Sequence, residues 1–190
     1  ETSGTAADNA EGTAALDGTL SGFDSTASQD FDPDSGWTAN NKRWGAGGLQ
    51  FDGVDSYVVT NNAVDFAPTT SSPFTIETWV KTNIVAGTGH AFLQANDGTG
   101  TGRTLLGQTV NDKFYTNIGG VSLESNISIE AGKWYHFAVT YSGVGETLYI
   151  NGKQETSASN VYENNVGTII FGSFKGYASG LFNGVLDSTR

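Results

Sequence analysis

The segment Phe74-Thr75-Ile76-Glu77-Thr78-Trp79-Val80-Lys81 alternates strictly, with Phe74, Ile76 and Val80 on one face and Glu77, Trp79 and Lys81 on the other. Only an extended chain sorts side chains with a period of two, so this segment must be a strand with one face buried. The same texture recurs. Leu49 and Phe51, then Tyr57 and Val59, flank the turn Asp52-Gly53-Val54-Asp55. Further strands are predicted over 90–95, 103–108, 113–118, 134–141, 146–150, 166–171 and 182–190. Their separators, Asn96-Asp97-Gly98, Gly119-Gly120, Asn151-Gly152 and the stretch 173–180, carry turn chemistry. Asn151-Gly152 is the sharpest signal, because a two-residue hairpin of that type needs positive φ at both central positions.

A chain of 190 residues can bury one well-developed core, and no break in composition demands a second, so residues 1–190 are expected to form a single domain. Many short strands with almost no helical pattern predict an all-β fold, a two-sheet antiparallel sandwich or a barrel. Residues 1–46 are rich in Gly, Asp, Ser and Ala, and read as a loop-dominated opening with some strand character at 13–20 and exposed Trp37 and Trp44. The chain starts at Glu1 and stops at Arg190 inside a predicted strand, which suggests a piece excised from a larger processed polypeptide.

Charge and composition remove several functions. The net charge is -11 with nine Lys+Arg, which opposes binding to nucleic acid or to anionic membranes and favours retained cations. No apolar run is long enough to insert in a membrane as a helix. Without cysteine there is neither a disulfide nor a thiolate metal site. Glycosidases need two facing carboxylates. Here Glu77 stands alone on its strand, and Glu124, Glu130, Glu146 and Glu155 are expected at turns or exposed positions. His90 and His136 read as structural imidazoles, and no Gly-x-Ser-x-Gly elbow is present.

Six phrases, in order, resemble the laminin G-like, concanavalin A-like family of secreted jelly-roll domains. They are Glu1-Thr2-Ser3-Gly4-Thr5-Ala6-Ala7-Asp8, the stretch 48–58 (GLQFDGVDSYV), 74–80 (FTIETWV), 132–141 (GKWYHFAVTY), 148–153 (LYINGK) and 182–190 (FNGVLDSTR). The resemblance implies two curved antiparallel sheets packed face to face and an extracellular setting. It also implies a calcium ion tying the first strands to the last, with ligands from the Asp187 carboxylate and carbonyl, the Gly48 carbonyl and Asp8. Asp187 lies in an otherwise apolar strand and needs a partner if it is buried. That partner is a cation of this kind, Arg190, or an edge that it caps.

Sugars are bound by aromatic platforms beside polar groups, since a pyranose has an apolar face and a polar rim. Trp44, Arg103, Tyr115 and Tyr177 are the expected ligand contacts, whereas Trp79 and Trp134 lie mid-strand and read as packing. The leading expectation is a non-catalytic, calcium-stabilised module that binds a polysaccharide or glycan and is monomeric as an isolated domain. A structural or protein-binding adhesion domain is the alternative, and a polysaccharide-degrading domain the third.

Overall fold

The computed structural model describes residues 3–6, 18–23, 35–60, 72–84, 87, 89–95, 104–162, 168–174 and 180–190. Fifteen strands are seen there: β1 (Ser3–Ala6), β2 (Gly18–Ser21), β3 (Gly36–Thr38), β4 (Gly48–Asp52), β5 (Tyr57–Thr60), β6 (Phe74–Thr82), β7 (His90–Ala95), β8 (Thr104–Gln108), β9 (Lys113–Ile118), β10 (Val121–Ser128), β11 (Trp134–Tyr141), β12 (Gly145–Ile150), β13 (Lys153–Ser159), β14 (Ile169–Phe171) and β15 (Asn183–Asp187). They build two sheets. One has eight strands in the order β1-β2-β5-β14-β7-β8-β9-β10, the other seven in the order β13-β12-β11-β6-β15-β4-β3. Their neighbours pair antiparallel throughout, so the expected two-sheet antiparallel β-sandwich of jelly-roll type is what forms.

The strand alternation sets the core. Val80 and Phe137 turn inward from the seven-stranded sheet and meet Phe92 and Phe114 of the eight-stranded one. Phe92 is the hub, with its ring centroid 6.3 Å from Phe114, 6.0 Å from Phe137 and 4.9 Å from Phe182. Such edge-on aromatic pairs add about 0.5–1.5 kcal/mol each beyond the area they bury. The Asn151-Gly152 turn has φ of 52° and 77°, the values that the hairpin signal required. Asp52 closes the turn after β4. Burial works to raise its pKa, but the amides of Val54, Asp55 and Ser56 and the Ser56 hydroxyl all donate to Oδ1 and hold it below the ordinary value.

Two expectations are corrected. The opening stretch is less loop-dominated than its composition suggests, since β1, β2 and β3 all lie within it. Glu146 is neither at a turn nor exposed: it is 1% accessible, shares the inward face of β12 with Leu148 and Ile150, and accepts a hydrogen bond of 2.9 Å from Thr116 Oγ1 of the opposite sheet. Asn160 Nδ2 lies 3.3 Å from its other oxygen. Desolvation outweighs these donors and raises its pKa to about 7.

Candidate functional site

The outward face of the seven-stranded sheet gathers the functional side chains. Since Ile76 and Val80 of β6 point into the core, Glu77, Trp79 and Lys81 point out. Register then places His136 of β11 beside Trp79 and Trp134 beside Lys81, while Asp187 of β15 flanks Trp79 from the other side. His136, Trp79 and Asp187 therefore form one row across three adjacent strands.

A loop folds back over this row. The Asp187 carboxylate, 7% accessible, accepts the backbone N–H of Arg43 at 2.7 Å and of Trp44 at 2.9 Å, both on Oδ2. Hydrogen bonds to a charged acceptor are worth about 1.5–3 kcal/mol each, enough to fix the loop against the sheet. Asn41 secures its other end, donating to Gln50 Oε1 at 2.9 Å and accepting from Lys81 Nζ. Burial lowers the pKa of Lys81.

Fixing the loop places Trp44 edge-on to Trp79, with centroids 6.2 Å apart and planes at 72°. The Arg43 guanidinium sits 4.5 Å from the centroid of each indole. His136 packs on the far side of Trp79 at 5.2 Å. Glu77 reaches His136 Nε2 at 3.3 Å and Arg190 Nη1 at 3.5 Å. Arg190 is in turn positioned by reciprocal 2.9 Å backbone bonds with Glu77. Trp44, Glu77, Trp79, His136, Ser188 and Arg190 line an open groove of about 340 Å³. Apolar ring surface bordered by fixed polar groups suits a ligand with one apolar face and a hydroxylated rim.

Of the four expected ligand contacts, the two that lie within the described residues are apart. Trp44, 53% exposed, is in the groove. Tyr115 is on β9 in the other sheet, its hydroxyl 3.1 Å from Ser122 Oγ, and does not meet Trp44. Arg103, Tyr177 and Asp8 lie outside the described residues. Trp79, read from sequence as packing, forms a wall of the groove.

Gly48 and Asp187 fall on adjacent strands, one step past the Leu49–Leu186 pair, so two of the three expected calcium donors are brought together. Their fit to calcium is poor as they stand. Asp187 Oδ2 already serves two amides and Oδ1 accepts from the Ser188 hydroxyl, whereas calcium takes about six to eight oxygen ligands. Among the described residues no three His, Asp or Glu side chains cluster as a metal site. Among the described residues there is no helix long and apolar enough to cross a membrane.

The sequence matches none of the curated proteins. Among solved structures it is similar to domain 4 of AbnA, a GH43 extracellular arabinanase from Geobacillus stearothermophilus, in complex with arabinotriose. That match has 17% identity and a TM-score of 0.64, covering 100% of this chain and 92% of the other. A Trypanosoma rangeli sialidase matches at 17% identity and a TM-score of 0.58, covering 85% of this chain and 28% of the enzyme. A Bacteroides ovatus protein described as carbohydrate-binding matches at 18% identity and a TM-score of 0.50, covering 64% of this chain and 37% of that one. This chain thus spans well under half of the last two proteins, and at such identities the likeness establishes the fold alone. The family model of the concanavalin A-like lectin/glucanases superfamily matches residues 52–190, nearly three quarters of the sequence, and the chain belongs to that family.

Proposed function

We propose that the chain is a non-catalytic carbohydrate-binding module of a secreted enzyme or surface adhesin, and that the glycan lies in the groove between Trp44, Trp79 and His136. One observation carries the reading: two indoles, fixed edge-to-face by the Asp187 anchor, share a groove with the polar groups of Glu77, Ser188 and Arg190. A sugar ring stacked on an indole gives up little water-facing polarity, and its equatorial hydroxyls meet the rim. Because the groove is open, its hydrogen bonds replace bonds to water and each contributes modestly. Repetition of such weak sites in a parent protein would raise retention on a polymer through effective concentration. Hydrolysis is disfavoured because Glu77 is the one carboxylate among the described residues lining the groove, whereas glycoside cleavage needs two facing across the scissile bond, and Asp187 Oδ2 is taken up by two loop amides.

A glycan array tests this reading. Binding to a discrete set of oligosaccharides, with no release of reducing ends on prolonged incubation, is expected; an array without any bound glycan would leave the adhesion alternative standing. Calcium is a further part of the proposal, as a stabiliser held by Asp8 and by the backbone carbonyls of Gly48 and Asp187, with the Asp187 carboxylate left on the loop amides that occupy it. Native-state binding stabilises by linkage, so the melting temperature should rise by several degrees in millimolar calcium over chelator. An unchanged value removes the metal without touching the glycan reading.

A further inference from the structure

The chain carries nine Lys+Arg against twenty Asp+Glu, yet the groove face departs from that balance. Arg190 and Glu77 line the groove, and Arg43, Lys81 and Asp187 stand around it, so that among the described residues three cations meet two acids on this face. Neither Arg43 nor Lys81 has a carboxylate within ion-pair distance among the described residues, and Arg190, 76% exposed, shares Glu77 with His136. Asp187 turns its charge onto backbone amides instead of neutralising a side chain.

Arg43 is the distinctive element. Its guanidinium is held against two indoles, 4.5 Å from each ring centroid, while the residue as a whole stays exposed. A guanidinium carries five N–H donors, and contact with two indoles standing at 72° to each other leaves some of them for a ligand, none being paired with a carboxylate among the described residues. A planar fork held in this way matches a carboxylate, which accepts two parallel hydrogen bonds, and the match is lost when the carboxylate is esterified. We propose that the groove selects acidic sugars, with a uronate carboxylate forked by Arg43 while its ring stacks on the neighbouring indole. This inference rests on the glycan-binding reading and adds the substrate class to it.

Isothermal titration with a short galacturonate oligosaccharide and with its fully methyl-esterified form tests the assignment. The free acid is expected to bind at least tenfold more tightly than the ester, and the preference to shrink as salt is raised toward 0.5 M, because the pairing is partly exposed. Arg43→Met keeps the apolar stem and should bind acid and ester equally, whereas Arg43→Lys should retain part of the preference as a point charge. Equal binding of acid and ester by the wild type overturns the acidic-sugar assignment, and a preference that survives in Arg43→Met overturns Arg43 as the group that reads the carboxylate. Should neither form bind while neutral glycans do so, the acid assignment is lost and the glycan reading stands. Failure of every glycan removes both.

Discussion

Replacing Glu146 with glutamine is expected to abolish a loss of stability of about 3 kcal/mol that the wild type suffers between pH 4.5 and pH 8. The buried carboxyl has a folded pKa of about 7 against an ordinary 4.5, chiefly through desolvation, with Thr116 and the Ile118 backbone opposing. Below pH 4.5 both folded and unfolded chains hold the proton, so the group imposes no penalty. Between those values the unfolded chain ionises first, and stability falls by about 1.4 kcal/mol per pH unit. Above pH 7 both states are ionised and the loss is complete. Glutamine does not titrate, and the buried Asn160 Oδ1, without a hydrogen-bond partner among the described residues, lies on the side chain next to it to accept from the new amide. Denaturant unfolding of both proteins at several pH values gives the difference curve: a divergence of roughly 3 kcal/mol by pH 8 is predicted, and parallel curves would show that Glu146 is ionised in the fold at acid pH.

Trp79→Ala is expected to weaken glycan binding by at least tenfold while lowering the melting temperature by only a few degrees. The indole is the centre of the groove, touching Trp44, His136 and Arg43, so its removal takes away the stacking surface and loosens Arg43 together. Stability is less affected, since the ring faces outward from β6 and the core behind it is built from Val80, Phe137 and their neighbours. Trp79→Phe should recover part of the affinity by restoring a smaller ring. Titration of one glycan from the array into the three proteins measures both effects, and unchanged affinity in the alanine variant would place the sugar elsewhere on the sandwich.

The strands and their faces were largely legible. Alternation along 74–81 put Glu77, Trp79 and Lys81 together on one face, and the structure keeps them there. The same rule, applied to Glu146, Leu148 and Ile150, puts Glu146 inside, against the expectation that a carboxylate at a strand end stays in water. β13 had no apolar period to find, because as an edge strand it exposes most of its residues to water. A mid-strand position suggests packing for Trp79, but its parity with Glu77 and Lys81 points it outward. What the sequence does not carry is the partnership that makes the groove. Asp187 finds Arg43 and Trp44 across more than 140 positions, and only the assembled sheet brings that loop to that strand. Of the expected contacts, Trp44 and Tyr115 do not meet for a related reason: Trp44 lies on a loop over the seven-stranded sheet and Tyr115 on β9 of the other, and local texture does not reveal which sheet a loop overlies.

A sugar that stacks against Trp44 and Trp79 on the outward face of the seven-stranded sheet must perturb their indole N–H groups. The four tryptophans give four indole N–H signals in a nitrogen–proton correlation spectrum. Trp37 is the internal reference: it is half exposed, but in register with Leu49, whose side chain packs against the core, and so belongs to the opposite side of the sheet. Titration with an oligosaccharide selected on the array should shift the Trp44 and Trp79 signals together, saturably and with one dissociation constant, and leave Trp37 in place. Saturable binding that moves neither Trp44 nor Trp79 would place the sugar away from this groove.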